Sequence, residues 1–158
     1  MQKQFLFLAK FFIIFALLQA LILHANLSFV EQSLALLEAK ILGLESFGNK
    51  VFVNGEIFSI DANCTGLLSA AIVAAIVFSL SKPGFEKKIL IFLCCAVLLF
   101  LLNIPRLFLA LWAAKEFGAT AAETVHVVTW FSTAALILLF WYFLTKKIAN
   151  VKDFSRLL

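Results

Sequence analysis

"ILIFLCCAVLLFLLNIPRLFLALWAA", residues 89–114, decides what kind of protein this is. Its apolar run exceeds the ~20 residues needed to cross about 30 Å of hydrocarbon, and only Asn103, Pro105 and Arg106 interrupt it. The whole chain has the same character. Of 158 residues, 64% are hydrophobic and 14% charged, with a mean hydropathy of +1.07, outside the range of a soluble domain. Nineteen Phe and three Trp cannot all be hidden inside a globule of this size, so lipid must solvate much of the surface.

Three further apolar runs, residues 5–23, 64–81 and 126–145, complete an all-α integral membrane fold of four transmembrane helices. The first run resembles a signal-peptide apolar region but is long and contains Lys10, so it is read as a retained helix. Lys3, Lys10, Lys82, Lys87, Lys88, Lys146, Lys147, Lys152 and Arg156 group on one side, against Lys40, Lys50 and Lys115 on the other. The basic side is cytoplasmic by the positive-inside rule, placing both termini there. The chain reads as a single membrane domain over 1–158, multi-pass in the cytoplasmic (inner) membrane, with an external segment over 24–63.

Within that segment "LSFVEQSLALLEAKILGLE", residues 27–45, repeats apolar positions at helical spacing and predicts an amphipathic surface helix. "KVFVNGEIFSID", residues 50–61, predicts a β-hairpin, because Asn54 and Gly55 both tolerate the positive φ of a type I′ turn. "SKPGFEKK", residues 81–88, is a tight basic turn. Pro105 removes a backbone donor and is expected to bend its helix, with an angled piece after it. "KEFGATAAET", residues 115–124, reads as an external loop before His126.

Three polar residues fall at one depth. Helical rise places Cys64 about 27 Å from the cytoplasmic turn, Arg106 at a similar distance, and His126 about 30 Å from Lys146. Antiparallel packing can therefore gather them at the external rim. Cys94 and Cys95, in mid-helix, read as inert packing. Cys64 differs: it starts a helix, where free N–H groups favour a thiolate, although Asp61 would oppose ionisation. Arg106 lies inside an apolar helix, where a cation is costly; it either snorkels or serves a function. Asn103, at i−3, can hold the guanidinium or bond a substrate backbone. His126 alone is more often an ordinary interfacial histidine, and His24, in an equivalent place, is given no role. A thiol nucleophile, an imidazole to exchange protons with it and a guanidinium to stabilise negative charge suffice for acyl transfer.

"CTGLLS" at 64–69, "NIPRL" at 103–107 and "VHVV" at 125–128, in this order and near the outer ends of helices, resemble the exosortase/archaeosortase family. The resemblance covers about 45–145. It implies a polytopic cysteine transpeptidase or protease. Such an enzyme processes C-terminal sorting signals of exported proteins, built of a short motif, one transmembrane helix and a basic tail. Carried over, Cys64 is the nucleophile, Arg106 the family arginine and His126 the third catalytic position, with Asn103, Asp61 and Thr65 as substrate-binding or supporting residues. No cofactor and no nucleic-acid partner is implied, whereas a lipid or glycan acceptor is compatible. Many relatives have about twice as many helices, so a homo-oligomer or partner would complete the substrate groove. A glycine is expected shortly after the histidine, where "HVVTWFS" carries Trp130.

The reading from a different class is a non-enzymatic assembly or transport subunit whose Cys/Arg/His cluster binds a partner. Disulfide exchange is disfavoured, since only Cys64 is external and no CxxC pair exists. A zinc site would have at most Cys64, His126 and His24, without short ligand spacing.

Overall fold

The structure, a computed structural model, describes residues 2–150. Lys152 and Arg156 of the basic group lie outside the described residues. The elements run α1 (Gln2–His24), α2 (Ser28–Leu42), β1 (Glu45–Phe47), β2 (Lys50–Val53), β3 (Glu56–Ser59), a 3-10 turn (Ala62–Thr65), α3 (Leu67–Ser79), α4 (Phe85–Phe117) and α5 (Ala119–Ala149). The protein is mostly helical with one small sheet.

Among the described residues, three helices are long and apolar enough to cross a membrane: α1, α4 and α5. The expected span over 64–81 is helical only from Leu67 to Ser79, a length of roughly 20 Å. Gly66, at φ +81°, separates it from the turn that holds Cys64. This short helix packs on both α1 and α4. Its Val73 and Val77 meet Ile91, Cys95 and Leu99 of α4 and Ile137 of α5 in one core. Cys95 is fully buried there, as packing requires. No residue of α1 is buried, which leaves its Phe and Leu side chains to a lipid surround.

Two expectations for the later helices need correction. Pro105 does not divide α4, which is one continuous helix from Phe85 to Phe117. Proline costs a helix one backbone bond and a ring contact, and a long apolar helix packed along α5 tolerates that locally. The loop expected over 115–124 shrinks to Gly118, at φ +88°, between α4 and α5. Ala119, Ala121 and Ala122 are good helix formers, and they extend α5 two turns ahead of His126.

The external segment contains the predicted surface helix, stopped at Gly43 in the left-handed conformation. The hairpin is present too, with Asn54 at φ 50° and Gly55 at φ 87°. It carries an extra strand, β1, giving the antiparallel order β1-β2-β3. Val51, Val53 and Ile60 point inward to Leu34, Ala35 and Ala39 of α2 and to Leu107, Leu111 and Ala114 of α4. Two polar contacts fix this cap to the long helix. Lys115 Nζ donates to the Leu42 carbonyl at 2.9 Å, and Asn54 Nδ2 donates to the Lys115 carbonyl at 2.8 Å. At the far end Lys3, Lys10 and Lys82 line one pocket, while Lys82 and Lys87 share another with Ala149.

Candidate active site

Cys64 sits in the 3-10 turn that joins β3 to α3. Asp61 caps this turn: its Oδ1 accepts from the backbone N–H of Asn63 at 3.0 Å and of Cys64 at 3.3 Å. Thr65 is buried, and its Oγ1 donates to the Ala62 carbonyl at 2.6 Å. Asn103 ties the turn to α4, donating from Nδ2 to the Cys64 carbonyl at 2.7 Å. Gly66 beside it is required by its conformation: a Cβ there would make only ordinary contact, 3.4 Å from Asn103 Cγ, but the φ of +81° disfavours any other residue.

One cavity of about 360 Å³ brings the candidate nucleophile and imidazole together. Cys64 and His126 both line it, with Phe58, Ser59 and Ile60 from the sheet side and Leu107, Ala110 and Leu111 from α4. His126 projects from the third turn of α5 and is half-buried. The lining is mostly apolar, with few polar groups, as in sites that bind an organic ligand and orient it.

Arg106 does not line this cavity, but its neighbour Leu107 does. Arg106 is 4% exposed, and its guanidinium lies within electrostatic reach of both the Cys64 thiol and the His126 imidazole. Its Nε and Nη2 are buried without a hydrogen-bond partner among the described residues. Snorkelling to water is therefore not what this side chain does. A buried cation with two unused donors is costly, and such groups call for an acceptor.

The thiol is pushed up from its ordinary range, first by burial and then by the Asp61 charge and side chain. A backbone hydrogen bond from Asp61 and the positive charge of Arg106 act the other way without overcoming this. Proximity to a helix start was expected to favour a thiolate; burial outweighs it, and Cys64 is a neutral thiol at neutral pH. Such a sulfur needs a base to become a nucleophile.

Two cavity residues were not singled out from the sequence. Glu123 is one helical turn before His126 and lines the same cavity, a relation visible as i−3 spacing once the helix is known to begin at Ala119. Ser59 gave no signal, because its place depends on the sheet edge. Glu38 lies on α2, the helix read from the sequence as amphipathic, yet it is fully buried and its carboxyl oxygens have no hydrogen-bond partner among the described residues.

Comparison with known proteins gives one result. The family model described as transmembrane exosortase (Exosortase_EpsH) matches residues 3–155. No curated protein and no solved structure matches the chain.

Proposed function

The chain belongs to the transmembrane exosortase family, and from that membership we propose that it is a cysteine transpeptidase or protease. Its substrates are exported proteins ending in a short motif, one transmembrane helix and a basic tail. The protein sits in the cytoplasmic membrane with both termini inside, and the cavity at Cys64 opens at the external face. The observation that carries this reading is the pairing of Cys64 and His126 in one cavity beside a buried arginine with two unused donors.

His126 takes the thiol proton, and the sulfur attacks the scissile carbonyl carbon. Arg106 stabilises the oxyanion through its positive charge; its Nε and Nη2 have no hydrogen-bond partner among the described residues. As the C–N bond breaks, His126 returns the proton to the leaving amine, and a thioester remains on Cys64. Water, or an amine on a lipid or glycan acceptor, then resolves the thioester with His126 again as base. Asp61, Thr65 and Asn103 hold the sulfur in place through the turn they organise. The raised thiol pKa favours a concerted role for His126 over a standing thiolate.

The test is replacement of Cys64 by Ser or Ala in cells, followed by C-terminal analysis of exported proteins with such tails. Loss of processing with the protein still folded in the membrane supports the enzyme. Undiminished processing sinks it and favours a non-enzymatic assembly subunit.

A further inference from the structure

The cavity has a wall whose main chain is unused. β3 is an edge strand, since the sheet order is β1-β2-β3, and the opposite edge, β1, lies against α2. In an antiparallel ladder alternate residues exchange both main-chain bonds with the neighbour, and those between them turn their N–H and C=O away. The phase is fixed here. Val53 and Glu56 flank the two-residue Asn54-Gly55 turn and form a bonded pair. Val51 and Phe58 form the next one, and the Ile60 N–H donates to the Asn49 carbonyl at 2.8 Å, in the same phase.

Ile57 and Ser59 are therefore the residues whose main-chain groups face outward. Among the described residues these groups make no hydrogen bond. The next alternate position is Asp61, whose backbone bonds the Cys64 thiol. The free edge is thus Ile57 and Ser59, and it stops beside Cys64, whose N–H is taken by the Asp61 carbonyl at 2.9 Å. Ser59 itself lines the cavity with Cys64 and His126. Proteins commonly guard an open edge with Lys or Pro, and β3 has neither.

We propose that β3 is the docking edge for the substrate's main chain: an extended peptide segment adds to the sheet as a fourth strand and is laid across Cys64. The proposal rests on the transpeptidase reading above and adds how the substrate is held. Main-chain pairing supplies affinity that is independent of sequence, and side-chain specificity falls to alternate residues of the added strand. Ala110 and Ala122, small residues lining the same cavity as Ser59, leave room for those side chains.

The test uses acetyl-tetra-alanine chloromethyl ketone as the probe, with iodoacetamide as a reagent too small to form a strand. The Cys64 sulfur displaces chloride to give a thioether, and the labelled site is mapped by mass spectrometry. The peptide reagent is expected to alkylate Cys64 faster than its intrinsic reactivity relative to iodoacetamide predicts. N-methylation along the peptide should remove this advantage at alternate residues, about three- to tenfold each, and be tolerated between them. Ile57→Pro and Ser59→Pro each delete an outward N–H without removing a β2–β3 bond, a substitution that edge strands accept. Both should lose the advantage by a similar factor while the iodoacetamide rate stays constant, and Ser59→Ala should retain it. An N-methyl scan of the unmodified protein without alternation overturns the proposal. So does an unchanged advantage in both proline variants, including the case where Ser59→Pro instead dissolves a dimer formed by β3 pairing between two copies. The transpeptidase reading is tested separately in the same assay. If His126→Gln leaves the pH profile of iodoacetamide labelling unchanged, that reading fails and the proposal with it, whatever the alternation shows.

Discussion

Asn103 Nδ2 lies 2.7 Å from the Cys64 carbonyl oxygen, so the residue that holds the main chain of Cys64 stands one helical turn before the buried cation Arg106. Helix α4 thereby fixes both the sulfur's backbone and Arg106 in a single rigid frame. Asn103→Ala leaves the part-buried Cys64 carbonyl without its donor, at an expected cost of about 1–3 kcal/mol in thermal unfolding. Gly66→Ala, which forces a side chain into φ +81° beside Asn103, should cost roughly 1–2 kcal/mol. In both variants turnover should fall further than the stability loss explains. The comparison is kcat at a temperature where each variant is fully folded.

Arg106 separates stability from function. A buried guanidinium with two donors unpartnered among the described residues burdens the fold, and Arg106→Met, similar in length and apolar, should raise unfolding free energy by about 1–4 kcal/mol. Turnover should drop by ~10²-fold or more, as for removal of an oxyanion donor. Arg106→Lys keeps the charge without the planar donors and should also be poorly active. A methionine variant that is both destabilised and active would contradict this account of the residue.

The thiol carries its own pH signature. Burial and Asp61 hold Cys64 above the ordinary thiol range, so alkylation by iodoacetamide should rise with pH only beyond that range. Asp61→Asn removes the negative charge but keeps a side chain that can cap the turn. Its profile should move to lower pH. An unchanged profile would mean that Asp61 serves the turn alone.

Glu38 sets a pH dependence of stability. It is fully buried, and burial raises its carboxyl from 4.5 to about 7. The folded protein therefore keeps this proton where the unfolded chain has released it. Stability from this group is greatest below pH 4.5, declines between pH 4.5 and about 7, and levels off above that. The gap corresponds to roughly 3 kcal/mol. Glu38→Gln should flatten the decline, matching the native chain at low pH and exceeding it at pH 8. Thermal unfolding in detergent across that range measures it.

Much of this was legible in the residues because the signals were local. Asn54-Gly55 demands positive φ in succession, and the structure shows it. The apolar runs at 5–23, 89–114 and 126–145 fall on three long helices. The run at 64–81 falls on a shorter apolar helix, Leu67–Ser79, because hydropathy alone does not fix where the turn holding Cys64 ends and the helix begins. β1 is three residues long, and Glu45-Ser46-Phe47 shows no apolar–polar alternation in the sequence. At the site, Cys64 and His126 were placed together by depth alone, whereas Arg106's position behind the cavity wall depends on rotation about the α4 axis. Glu38 escaped notice because a charge between apolar positions ordinarily marks the wet face of a helix.

The most direct measurement is the mass of the protein caught in the act. Purified from its own membranes and quenched in acid, it should carry an adduct on Cys64 equal to the N-terminal portion of a cleaved exported protein. Hydroxylamine should release that adduct, as it does a thioester, and Cys64→Ala should lack it. An adduct that persists in the alanine variant, or processing that proceeds with no acyl group ever found on Cys64, would contradict the account.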